Sequence, residues 1–234
     1  MNMNKILFFI SMVLVLVVAS SCTKTSGILG EPEPFVIDST GIEETVPPEI
    51  LDSMKPYITI YSGKTPPNIE NTYFIDPMVA VYCQDGGYAK GSTVTSTYVK
   101  FTNQNNTAKT IEYTEKEGSN TSTGKGAFIS GSGNNFTVYL DTEGTSSGIY
   151  TKTALVISGT KTTTGIEGIK YAFVMVDKGD DPNNILMAKG VFRVFEDSDS
   201  TALLATWPAS IKGLQKTIKS SGNEYNIFSF KCAK

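Results

Sequence analysis

Gly168-Ile169-Lys170-Tyr171-Ala172-Phe173-Val174-Met175-Val176-Asp177 decides the fold class of this chain. Ile169, Tyr171, Phe173 and Met175 fall on one side of an alternating pattern, and Ala172, Val174 and Val176 on the other. A period of two belongs to a β-strand, whose successive side chains point to opposite faces. Apolar residues on both faces mark a strand covered from both sides. The stretch therefore predicts a strand that is central, or is covered outside by the C-terminal segment.

The same period recurs outward from it. Upstream lie Asn71 to Cys83 (bent or broken at Pro77), Val94 to Asn103, Thr110 to Lys116, Lys125 to Ser130, Asn135 to Asp141 and Tyr150 to Gly159; downstream lies Ala188 to Glu196. In Asn135 to Asp141, Phe136, Val138 and Leu140 share a face. Clusters such as Asn103-Gln-Asn-Asn106, Gly131-Ser-Gly-Asn-Asn135 and Gly144-Thr-Ser-Ser-Gly148 separate the runs. Their Gly and Asn tolerate positive φ, and Asp and Asn side chains bond to nearby backbone, so they are turns. Short strands at this spacing indicate an antiparallel sandwich or barrel. Eight in succession with short links favour an all-β, antiparallel, up-and-down eight-stranded barrel, because closure removes both sheet edges; a β-sandwich is the alternative. Tyr57-Ile-Thr-Ile-Tyr61 opens the alternating region before the turn at Pro66-Pro67, and Glu49 to Met54 has the makings of a helical turn. After Glu196 the pattern loosens: Thr201 to Trp207 suggests one helical turn, Ile211 to Ile218 is amphipathic, and Tyr225 to Phe230 reads as a last strand.

The N-terminus carries a different signal. Lys5, the apolar run Ile6 to Ala19 and the small pair Ser20-Ser21 form the pattern of a secretory signal. The run is shorter than the roughly twenty residues that span a bilayer as a helix. Val18-Ala19-Ser20-Ser21-Cys22 resembles a bacterial lipoprotein lipobox. That resemblance implies cleavage before Cys22 and acylation of its sulfur and amine, palmitate among the chains. Stable anchoring needs two or more chains. Residues 22–56, rich in Pro, Gly, Ser and acid, are too polar to offset their ordering entropy and read as an extended tether. The expected organisation is a signal peptide at 1–21, the tether at 22–56, the barrel domain at 57–199 and a C-terminal segment packing on it at 200–234.

Composition narrows function. The net charge is −3, Arg193 is the only Arg and Lys residues do not cluster, so the sequence gives almost no support to a nucleic-acid surface. His is absent, which removes Ser-His-Asp and Cys-His machinery and His-ligated metal. No cofactor or metal ligand set is expected, and the chain reads as a non-enzymatic monomer. Of the 3 cysteines, Cys22 is the lipidation site. Cys83 and Cys232 form a disulfide in an oxidising compartment or stay as two thiols. Asp177 to Asp181 and Asp197 to Thr201 lack the EF-hand's Gly offset and distal Glu, and read as solvated hairpin turns. Glu115 and Glu117 fall on one face of a strand beside a polar turn, and read as solvated edge charges.

Pro66-Pro67-Asn68-Ile69-Glu70-Asn71-Thr72-Tyr73 and Gly190-Val-Phe-Arg193-Val-Phe195 with its following Glu-Asp-Ser-Asp are similar to the first-strand entry and closing strand of Bacteroidota lipoproteins of lipocalin-like character. Asn71 stands where the family's first-strand motif has Gly. The resemblance implies a calycin-type barrel, with Tyr73 in the slot of the first-strand aromatic and Arg193 in that of the late-strand Arg. Closure then makes Tyr73 and Arg193 neighbours that stack across the seam, unless Arg193 points outward with its head in solvent. In the inward version Val191 and Phe195 share its face and line a ligand site. Asp38-Ser39-Thr40 and Asp52-Ser53-Met54 resemble the phylum's O-glycosylation acceptors at Ser39 and Ser53. The expected function is binding of a small hydrophobic or amphipathic ligand by an outer-membrane protein held through its lipid, on the periplasmic face rather than the cell surface. A protein–protein or glycan interaction module is the alternative, and a filled interior would favour it.

Overall fold

The structure, a computed structural model, describes residues 46–118 and 120–208. It is all-β apart from one short helix. Helix α1 spans Pro48–Met54. The strands are β1 (Asn71–Ile75), β2 (Met78–Cys83), β3 (Thr97–Asn105), β4 (Thr110–Glu117), β5 (Asn120–Ser132), β6 (Asn135–Ser146), β7 (Ile149–Lys161), β8 (Gly165–Lys178), β9 (Phe192–Asp197) and β10 (Thr201–Leu204). They form a single sheet in the order β10-β1-β3-β4-β5-β6-β7-β8-β9-β2, with an added β10–β8 pairing that closes it on itself. Every named pairing is antiparallel.

Tight local turns explain the meander. β6 and β7 pair from Ser146↔Ile149 upward, leaving only Ser147 (φ 52) and Gly148 (φ 77) between them. Two central residues with positive φ make the turn whose twist matches paired strands. Closure uses two broken strands. β1 and β2 are one strand interrupted at Asp76-Pro77, as Pro77 led us to expect, and β9 and β10 are one strand interrupted at Ser198–Ser200. The first half of β8 pairs with β10 and the second half with β9, so the ring runs unbroken past both interruptions. The free edge of β2 is covered by its own chain: Ala80 N–H donates to Ser92 O (2.9 Å) and Val94 N–H to Met78 O (2.8 Å).

Two apolar clusters follow from the alternation. Tyr73, Phe101, Tyr113, Phe136, Leu140, Leu155, Tyr171, Phe173 and Phe195 fill the inside of the ring. Tyr139, Ala154, Val156, Ala172, Val174 and Val194 face outward and are covered by Val46, Met54 and Ile58, with Tyr57 stacked on Tyr82 at 3.9 Å.

This outer layer bears on three expectations. The outer apolar face of β8 is packed by Val46, Met54 and Ile58 of α1 and its flanks, while residues 209–234 of the C-terminal segment lie outside the described residues. Val46 and Met54, within the stretch expected to be tether, thus pack on the sheet. Tyr57 to Tyr61 forms no strand; Ile58 and Ile60 pack on the sheet while Tyr61 N–H donates to Thr137 Oγ1 (2.8 Å). A fourth expectation, at Thr201 to Trp207, is corrected: Thr201–Leu204 is strand β10, not a helical turn, because both β1 and β8 offer it open edges. The Ile211–Ile218 and Tyr225–Phe230 expectations lie outside the described residues.

Candidate functional site

β4 alternates Ile111, Tyr113, Glu115 and Glu117 toward the interior, so the pattern that buries two apolar residues also buries two carboxylates. Glu115 is 4% exposed and Glu117 6%. The reading of both as solvated edge charges is thereby overturned: strand alternation places them on the core side, and the ring closes over them.

Glu115 sits between Val99 of β3 and Ser122 of β5. Its Oε2 accepts hydrogen bonds from the hydroxyls of Tyr113 (2.7 Å) and Tyr171 (2.5 Å). Burial pushes its carboxyl above the ordinary range, against the pull of hydrogen bonds from Tyr171, Tyr113 and Ser122. Burial and the neighbouring Glu115 raise both tyrosines well above theirs. Glu117, opposite Thr97, accepts from the Thr95 hydroxyl. Thr97 Oγ1 is buried with no hydrogen-bond partner, and Thr142 and Thr153 share a hydroxyl–hydroxyl bond of 2.7 Å. Gly144 leaves the room this layer needs, since a Cβ there would come to 2.6 Å from Ser122 Oγ. One end of the interior is therefore polar and acidic and the rest aromatic. This set of groups accepts hydrogen bonds and holds or releases a proton. It contains no nucleophile activated at neutral pH.

Arg193 lies at the same end, on the inner face of β9 and 0% exposed. Its Nη2 and Nε contact Asp85 Oδ2 (2.6 Å) and Oδ1 (3.2 Å), and its guanidinium lies 5.2 Å from the Tyr88 ring centroid. Burial raises the Asp85 carboxyl, but the Arg193 hydrogen bond and charge outweigh it and hold the group below its ordinary value. The expected stack on Tyr73 is replaced by this fork-like pair. The register gives the reason: Arg193 stands opposite Cys83 of β2, whereas Tyr73 stands opposite Leu204, beyond the Asp76-Pro77 interruption. Tyr73 instead donates its hydroxyl to Ile69 O (3.0 Å) and lies under the Lys161 ammonium, 5.6 Å from the ring centroid. A Cβ on Gly87 would come to 2.4 Å from Arg193 Nη2, so glycine in the turn after Cys83 leaves the guanidinium its room. The Gly-rich turn Gln84-Asp85-Gly86-Gly87 was the available sequence signal for this partner.

Phe195 is buried on the inner face, stacked on Phe173 at 6.0 Å, and Val191 is half-buried against the same core. Of the expected ligand-site residues, the structure brings Val191, Arg193 and Phe195 together and leaves Tyr73 apart. Cys83 is a buried free thiol pushed up to about 11 by burial, hence unreactive at neutral pH. Cys232, Cys22 and Ser39 lie outside the described residues. Ser53 is exposed on α1, where its hydroxyl donates to Glu49 O (2.8 Å).

The two acidic turns are also more than solvated loops. Asp181 accepts from Ile185 N–H (2.8 Å), Leu186 N–H (3.0 Å) and the Lys178 ammonium (2.7 Å), organising the loop before β9. Asp197 is buried and accepts from Asp76 N–H (2.8 Å) and Asp199 N–H (3.0 Å). Both were taken from the surface by backbone N–H groups of distant or looped segments, which their sequence neighbours do not announce. No group of three His, Cys, Asp or Glu side chains able to hold a metal occurs among the described residues.

Comparison of the chain with protein-family models, with curated proteins and with solved structures gives no match.

Proposed function

We propose that this chain is a lipid-anchored, non-enzymatic envelope protein whose closed sheet, an up-and-down barrel of lipocalin-like form, serves as a rigid interaction module. Cys22 carries the anchor, and the outer membrane's periplasmic face is its place. One observation carries the choice of interaction over ligand carriage. Tyr73, Phe101, Phe136, Tyr171, Phe173 and Phe195 pack in one cluster inside the ring, each fully buried. A ring of this size is just wide enough for its own side chains, and here they occupy it. An apolar ligand would have to displace several close-packed aromatic rings.

The contact surface has support of its own. Leu203 of β10, 53% exposed, stands beside Phe74 of β1, whose ring stacks on Tyr98 of β3 at 4.2 Å. The three form an outward apolar row across the seam, flanked by Lys116 at the next register position. Leu203 is exposed and Phe74 and Tyr98 are half-buried, and outward apolar side chains in a row support a protein contact site.

Mass spectra of the protein purified from membranes test the proposal. The denatured spectrum should show a chain beginning at an acylated Cys22, and the native spectrum no co-purifying apolar molecule. A chain without acylation removes the anchor. A bound lipid in the native spectrum restores the ligand-carrier function.

A further inference from the structure

The outer surface of the ring carries two apolar faces. Val46, Met54 and Ile58 cover the first, on β7, β8 and β9. The second is the row of Leu203, Phe74 and Tyr98, which stand side by side on β10, β1 and β3. Leu203 is 53% exposed, and Leu204 at the end of β10 is 39% exposed. Phe74 and Tyr98 are half-buried, their rings stacked on one another. Removing apolar surface from water is favourable, so a segment able to lie on this row gains by doing so.

The chain itself leads to the row. After β10, Ala205 N–H donates to Thr72 O of β1 (2.9 Å). The Trp207 ring then meets the Lys100 ammonium of β3, 5.9 Å from its centroid, and Pro208 O accepts from Lys116 Nζ of β4 (3.4 Å). Lys116 stands opposite Tyr98, so the described residues end beside the row. Residues 209–234 follow. In the sequence, Ile211, Leu214 and Ile218 share one face at helical spacing, and Lys212, Lys216 and Lys219 fall off it. Ile211 is three residues from Pro208, at most about 10 Å of extended chain, and adjacent strands lie about 4.8 Å apart. Tyr98 and Phe74 are thus within its reach, and so short a connection costs little closure entropy. Tyr150 and Val176, the other exposed large apolar residues among those described, lie at the opposite end of β7 and β8 from Gly165, the partner of Leu203.

We propose that the C-terminal segment is the occupant of this row in the free chain, with Ile211, Leu214 and Ile218 laid on Leu203, Phe74 and Tyr98 and the three lysines turned to water. α1 does the same for the outer face of β8. The inference rests on the reading of the row as a contact surface, and adds that a partner reaches it by displacing the chain's own end.

Trypsin cleavage of the full chain under native conditions tests this, because Lys212, Lys216 and Lys219 lie in the segment itself. In wild type these sites should be cut at least about tenfold more slowly than in a synthetic peptide of residues 209–234. Leu203→Asp, a change at an exposed position of the row, should bring the rate close to that of the peptide. Leu214→Ser combined with Ile218→Ser should do the same from the other side of the contact, and this variant decides the matter if Leu203→Asp fails to fold. Tyr150→Asp, at an exposed position away from the row, should leave the rate unchanged. A wild-type rate equal to the peptide's, or protection that survives Leu203→Asp in a folded chain, would overturn the cover. Protection that falls on dilution, with a dimer seen in sedimentation, would give the row to a second copy and overturn it too. None of these results touches the acylation of Cys22 or the search for a bound lipid, so a bare row leaves the proposed interaction module standing with its contact surface open.

Discussion

Replacing Asp85 by Asn is the most direct test of how the polar end of the ring is held. The substitution keeps size and one acceptor but leaves the guanidinium of Arg193 without its carboxylate. The side chains of Arg193 and Asp85 are 0% and 6% exposed, so water cannot supply the missing charge. Removing one partner of so buried a pair costs about 3–5 kcal/mol, a large share of a typical 5–15 kcal/mol total. Asp85 also begins the loop that returns through Tyr88 to cover the edge of β2, so the damage should reach the Ala80–Ser92 bond. Urea unfolding at pH 7 is the assay: the midpoint should fall with little change in slope. Arg193→Met should also destabilise, and the double variant should cost less than the two singles summed, by about 2 kcal/mol or more. The pH dependence has a definite sign. Arg193 holds Asp85 below its ordinary 3.8, so the contribution of the pair is complete above that value and is lost as pH falls through the lower, folded one. The gap between wild type and Asp85→Asn should therefore be flat from pH 7 to 5 and shrink in stronger acid. A midpoint within about 1 kcal/mol of wild type, or strictly additive singles, would refute the pair as the holder of this end.

The other predictions concern the buried carboxylate and the outer layer. Glu115 is raised in the folded state, so its contribution is present in acid and lost as pH rises through its folded value; Glu115→Gln should flatten that loss in thermal melts from pH 4 to 8. Tyr171→Phe, which removes one donor to that carboxylate, should cost about 1–3 kcal/mol in urea at neutral pH, and no measurable loss would mean the bond is not formed. Met54→Ala should cost about 2–5 kcal/mol by opening a cavity between α1 and the sheet; a change below about 0.5 kcal/mol would mean that α1 does not hold the outer face.

The strands were legible because their signal is local. Each buried face repeats every second residue, as in Phe136, Val138 and Leu140, and Gly and Asn between runs tolerate the φ values that turns require. Pro77 announced the interruption of the first strand because it has no N–H to give the ladder. Arg193, alone within an apolar run, left inward and outward directions open, and the structure buries it. The inward direction of Glu115 and Glu117 was written in the same alternation as Ile111 and Tyr113. The general rule that carboxylates stay in water spoke against it, and only closure of the ring decided which rule won. α1 was harder to see, because its Pro and acid neighbours resemble a tether while Val46, Ile50 and Met54 repeat at helical spacing.

The sequence by itself determined the strands from Asn71 to Glu196, their antiparallel succession and the classes of chemistry that lack residues, since these depend on periodicity and composition alone. The tertiary structure decided everything that depends on pairing between distant segments. It chose Asp85 rather than Tyr73 for Arg193, brought α1 onto the outer face of β8, and made β10 the strand that closes the ring. Register across a seam is set by where each strand is interrupted and which edge is left open, and those are properties of the assembled sheet, not of any window along the chain.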